Sequence, residues 1–124
     1  MQLNLEHPDH EFFLRGADGE SVRVNERRLT SSFVLAPNRL VEAWPVREVK
    51  ALTPDDIDLV LALEPEVVLL GSGATQAFPP AAVLAHCLRR GVGLETMTNA
   101  AAARTFNVLA SEDRRVVAAF VLPG

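Results

Sequence analysis

From Thr53 to the end, the chain alternates between helix-like segments and short apolar runs, and this alternation restricts the fold most. Val67-Val68-Leu69-Leu70 and Val116 through Leu122 are continuous apolar runs of strand length, the pattern of strands covered on both faces. Thr53-Pro54-Asp55-Asp56 carries three helix-start signals: a capping hydroxyl, proline in the first turn, and acids at the positive end of the dipole. Ile57, Val60 and Leu61 follow at helical spacing, and Glu64-Pro65 closes the segment because proline disfavours the α region one residue earlier. A second helix is predicted from Pro79-Pro80 to Arg90, with Val83, Leu84, Cys87 and Leu88 on its buried side and Gly91 as its cap. A short strand at Gly93–Met97 and an alanine-rich helix from Ala100 to about Ala110, capped by Thr98 or Asn99, complete an α-β-α-β-α-β order. Such an order calls for right-handed crossovers that place helices on both faces of a sheet.

Residues 12–49 have a different texture. Ala17-Asp18-Gly19-Glu20 is a hairpin signal between Phe12-Phe13-Leu14 and the alternating Val22-Arg23-Val24. Two further strands, Ser31 to Leu35 and Leu40 to Trp44, are predicted across a turn at Pro37-Asn38. The expectation is one domain over residues 1–124. It has an α/β, three-layer architecture with a mixed central sheet of about five strands flanked by helices, plus an N-terminal β appendage. Residues 1–10 are expected to form a solvated tail.

Composition then removes several classes of function. The net charge is −4, and the cations fall in scattered pairs such as Arg27-Arg28, Arg89-Arg90 and Arg114-Arg115, not the basic face that a duplex requires. A nucleic-acid partner is therefore not expected. The apolar runs are far shorter than a membrane span, so no direct membrane insertion is expected. One cysteine, Cys87, allows no internal disulfide, and the first residues lack a signal or transit pattern. These features point to the cytoplasm.

Gly71-Ser72-Gly73 ends a buried strand, where α/β sheets commonly bind ligands. The dinucleotide fingerprint fails at Gln76, which holds the place of the third glycine, and the phosphate-loop lysine is missing. The bend is either a turn that needs small residues or a loop that a ligand approaches. Thr98 and Asn99 open a helix just after a strand, where free N–H groups could hold an anion, or could simply be capped. If both bends share one rim, Gly71, Ser72, Gly73, Thr98, Asn99 and Arg104 outline a candidate anion pocket. Cys87 sits on an apolar stripe and diverges from His86 by about 100° around the helix, so a catalytic thiol is not expected. His7 and His10 lack the further ligands of a closed metal site. Phe33 and Trp44 are core residues, or else exposed anchors for a partner.

Taken together, Ser32-Phe33 through Trp44-Pro45-Val46, Leu69 to Gly73, Gly93 to Thr98, and Arg104-Thr105-Phe106-Asn107-Val108-Leu109 with Arg115-Val116 carry a resemblance. The chain resembles a small α/β family that includes a mitochondrial respiratory complex I assembly factor and many bacterial proteins of undefined function. The resemblance implies a three-layer fold with a mixed five-stranded sheet, and a helper role with respiratory complex subunits as partners. It supplies no catalytic residues and no cofactor. The family commonly has threonine where Ser72 stands and tyrosine where Phe106 stands; this chain keeps the first hydroxyl and lacks the second. The leading expectation is a non-enzymatic binding or assembly-helper protein, and the alternative is a small-molecule or anion-binding protein, an enzyme among the options, using the crevice between the two bends. Oligomeric state stays open.

Overall fold

In the computed structural model, which describes residues 10–124, the two long apolar runs are neighbours at the centre of a five-stranded sheet. The elements run β1 (Leu14–Ala17), β2 (Val22–Val24), β3 (Arg27–Leu29), β4 (Ser31–Ala36), β5 (Arg39–Val41), and a 3₁₀ turn (Val49–Ala51). There follow α1 (Pro54–Leu61), β6 (Val67–Gly71), α2 (Ala81–Arg89), β7 (Gly93–Met97), α3 (Asn99–Ser111) and β8 (Val116–Pro123). The large sheet has the order β5-β4-β8-β6-β7, and β1-β2-β3 form a separate antiparallel sheet. Strand β6 is parallel to both β7 and β8, while β4 is antiparallel to β8 and β5, so the sheet is mixed. The three-layer α/β architecture with an N-terminal β appendage is as the sequence predicts.

Side chains alternate across the central strands, as the period of two requires. Val68, Leu70, Val117 and Ala119 face one way, into a core closed by α1, α2 and the 3₁₀ turn. Leu69, Ala118, Phe120 and Leu122 face the other way, under α3 and the small sheet. Phe33 and Phe120 are direct partners across β4 and β8, and their rings stack at 5.1 Å.

The helix signals act as read. Thr53 accepts from the Asp56 N–H while the Asp56 carboxylate accepts from the Thr53 N–H, a reciprocal cap. Past α2, Gly91 has φ +73°, its N–H donates to the Leu88 carbonyl, and Val92 N–H reaches back to Cys87. Only a residue tolerating positive φ closes a helix in this way, usually glycine. Asp113, at φ +63°, performs the same closure after α3.

Several details differ from expectation. Leu88, expected on the buried side of α2, is 68% exposed, while Val83 and Cys87 carry the buried stripe. Helix α1 ends at Leu61, short of Glu64, which takes φ +58° in the turn before Pro65. The first hairpin strand lies at Leu14–Ala17, later than Phe12–Leu14. Strand β5 stops at Val41, because Ala43 at φ +62° turns the chain so that Trp44 enters the core. Strand β3 went unread because two of its three residues, Arg27 and Arg28, are exposed and mask the alternation. Its hairpin turns at Asn25, φ +52°, a conformation asparagine adopts more readily than most. Of the expected N-terminal tail, residues 1–9 lie outside the described residues, and His10 is buried with its ring 4.3 Å from Phe13.

Candidate functional site

Strands β6 and β7 are in register with Gly71 opposite Met97, so the two bends leave the sheet at the same level and side by side. The chain then passes to α2 on one face after β6 and to α3 on the other after β7. Adjacent parallel strands whose continuations diverge in this way open a crevice that commonly receives a ligand.

Here the bends are stitched to one another. Ser72 N–H donates to the Met97 carbonyl at 2.8 Å, and Asn99 N–H to the Gly73 carbonyl at 2.9 Å. Gly73 N–H returns a bond to Asn99 Oδ1 at 3.1 Å. The Asn99 amide nitrogen donates to the carbonyls of Asp18, 3.0 Å, and Val121, 3.4 Å. Val121 lies one step beyond the last β6–β8 pair, Gly71 with Phe120. Asn99 therefore continues the ladder as a side-chain surrogate for a peptide group, fully buried. Gly71 is glycine for a steric reason: a Cβ would collide with Asn99 Oδ1 and stand 2.9 Å from the Phe120 ring.

Several side chains of the bends are also committed. The Ser72 hydroxyl has the Thr75 carbonyl at 2.8 Å and that of Met97 at 3.1 Å as acceptors for its proton, and accepts from Ala77 N–H. Thr98 caps α3 by accepting from Ala101 N–H. Gln76 donates to the Thr96 carbonyl. The tip of the β1–β2 hairpin sits over this rim, where a Cβ on Gly19 would come within 2.8 Å of the Ala74 methyl. In that tip the Asp18 carboxylate accepts from the N–H groups of Glu20 and Ser21, which hold its pKa below the ordinary aspartate range.

The structure thus brings Gly71, Ser72, Gly73, Thr98 and Asn99 together, with Ser72, Gly73 and Asn99 bonded across the two bends. Arg104 is exposed on α3 and does not line the cavity beside the bends. That cavity, about 340 Å³, lies on the other side of Ser72 and Gly73 and includes Arg47 and Lys50. The sequence reading passed over both cations, because their separation of three residues carried no sign of the β6 bend opposite them. A larger cavity of about 470 Å³ occupies the opposite rim, among His10, Arg39, Glu64, Asp113 and Arg115.

Phe33 and Trp44 do not form a partner surface. Phe33 is fully buried in the core that α3 and the small sheet cover, and Trp44 is 3% exposed, its Nε1–H donating to the Asp56 carbonyl at 3.1 Å. Exposed apolar side chains occur instead at Phe78 and Leu88. Cys87 is buried, and that burial pushes its thiol pKa up, away from the thiolate a nucleophile needs. Its neighbour His86 turns to Asp58, with Nε2 2.6 Å from Oδ1, and clasps α2 to α1. Glu66 is held below the ordinary glutamate range by the Arg115 N–H and the Arg114 guanidinium, and so serves as an anchor for the β8 entrance. Among the described residues no three His, Cys, Asp or Glu side chains gather as metal ligands, and no helix is long and apolar enough to cross a membrane.

Fold and rim together define a small three-layer α/β domain whose two neighbouring bends are tied by a buried asparagine. The chain belongs to the family described as a protein of unknown function (DUF498/DUF598), whose model matches residues 14–121. It is similar to a Xanthomonas campestris protein of known solution structure, with 58% identity and a TM-score of 0.85 over 100% of this chain and 94% of that one. It is 31% identical over 102 residues to human NADH dehydrogenase [ubiquinone] 1 alpha subcomplex assembly factor 3, covering 81% of this chain. A Francisella tularensis 13 kDa major membrane protein is 30% identical over 71 residues, 57% of this chain. The chain spans 55% of the human protein's length and 58% of the Francisella protein's.

Proposed function

We propose that this protein is a non-enzymatic binding protein that helps assemble a respiratory NADH dehydrogenase, and that it works in the cytoplasm. The observation that carries this reading is its likeness to the human assembly factor across most of the chain. The rim supports it as well. A site built for chemistry needs a nucleophile, a base and a free space between them. Here Cys87 faces the core, His86 is paired with Asp58, and the polar groups of the bends are bonded to each other.

The test is genetic and biochemical. Deletion of the gene is expected to lower the amount of fully assembled NADH dehydrogenase on native gels and to leave free subunits behind. Expression of the intact chain restores the complex. Unchanged complex in the deletion strain would overturn the reading.

A further inference from the structure

Strand β8 runs on from Val121 to Pro123 after β6 has ended at Gly71, so this last stretch has no strand opposite it on the β6 side. Asn99 takes up the Val121 carbonyl there. Next to that wall, and bounded on its far side by the β6–α2 bend, lies the cavity of about 340 Å³. This volume falls at the lower end of the range of small-molecule sites, about 300 to 1,000 Å³.

Its lining is divided by chemistry. Val49, Ala77 and Val121, all on the α1–α2 side of the sheet, supply an apolar wall, and the exposed Arg47 and Lys50 supply charge. The two cations bracket the entry to the 3₁₀ turn, Arg47 just before its extended cap Glu48 and Lys50 within it, and both line the cavity. Neither has an ion-pair partner among the described residues. Glu48 also lines the rim, leaving an excess of one positive charge. Ser72, Gly73 and Ala77 have their own hydrogen-bond partners, so a ligand here is held by the cations and by the apolar wall, not by the glycine loop.

We propose that this cavity binds a small organic anion, a carboxylate or phosphate monoester carrying a short apolar body. It lies beyond the carboxyl end of β6 and against the last residues of β8, at the rim where ligands of α/β sheets are commonly found, and beside the two bends that Asn99 ties together. The proposal stands apart from the assembly role, since it rests on Arg47, Lys50 and the overhang of β8 alone.

The test is an NMR titration of the full chain, following backbone amides, with hexanoate, phenyl phosphate and inorganic phosphate as separate probes. Hexanoate or phenyl phosphate is expected to move the amides of Lys50, Gly73 and Leu122 saturably. Inorganic phosphate should bind about tenfold more weakly, because it leaves the apolar wall uncovered. Tighter binding of phenyl phosphate assigns a phosphate monoester, and tighter binding of hexanoate a carboxylate. The double variant R47Q/K50Q, at two exposed positions, should weaken binding by about tenfold or more. Ala77→Phe should block binding by filling the cavity with both charges in place. If it fails to fold, the double variant decides alone. Saturable binding that survives either folded variant, or shifts that map to another surface, overturns the site. So does the absence of saturation with all three probes. Equal affinity for inorganic and phenyl phosphate reduces the site to surface charge and also overturns it.

Discussion

The two faces of the central sheet are covered by different means. On one, α1 and α2 lay apolar stripes over Val68, Leu70 and Val117, and the His86–Asp58 pair only clasps the two helices. On the other, α3 covers part of the sheet, and the rest falls to three strands of three or four residues each. An isolated ribbon of that size is marginal in water. It is fastened by side-chain amides: Asn107 exchanges two bonds with the backbone of Leu14, and Asn99 holds the hairpin tip through the Asp18 carbonyl. A broad apolar face attaches a helix without directional help, whereas a short strand needs polar bonds that specify where it docks.

The sharpest way to break this contrast is Asn99→Asp. A carboxylate there loses both donors, faces the carbonyl oxygens of Asp18 and Val121, and buries a charge. We expect a loss of about 3 kcal/mol in denaturant unfolding. A loss no larger than that of an exposed substitution would show that the asparagine staple is dispensable.

A smaller effect separates the two faces directly. Asn107→Ala should cost about 1–2 kcal/mol and speed amide exchange in β1, while α1 and α2 keep their protection. Asp58→Ala, which breaks the clasp on the opposite face, should cost about 1 kcal/mol or less, because the pair is partly exposed and the helices stay packed. Equal costs from the two variants would contradict the comparison.

The smallest effect is a pH dependence. Asp18 has a folded pKa below its unfolded value, so its contribution to stability is fully present above the unfolded pKa. That contribution is lost as pH falls through the lower folded value. Melting temperature measured from about pH 5 downward should therefore fall less steeply in Asp18→Asn, which keeps an acceptor for Glu20 and Ser21 but has no proton to take up. Parallel slopes would place the acid sensitivity elsewhere, with Glu66 at the opposite rim the next group to replace.

Most of the helical half was legible in the sequence because its signals are local. The Thr53 cap, Gly91 at positive φ and the apolar runs of β6 and β8 depend on residues a few positions apart, and each is found where it was expected. That the two bends share one rim was legible only as a condition, because strand ends and helix starts do not encode strand order; the pairing of β6 with β7 decided it. Strand β3 was not, since a half-exposed strand flanked by arginines carries no clear alternation.

What the chain encodes by itself is the order of its elements and which face of each is apolar, because near-neighbour sterics and periodicity decide both. Tertiary structure alone decided that Trp44 turns inward, that Asn99 stands in for a peptide between β8 and the hairpin tip, and that Arg47 and Lys50 face the end of β8. Asn99 and Asp18 are 81 residues apart. No local preference specifies such a meeting. It follows from which buried donors and acceptors still need partners once the layers have packed.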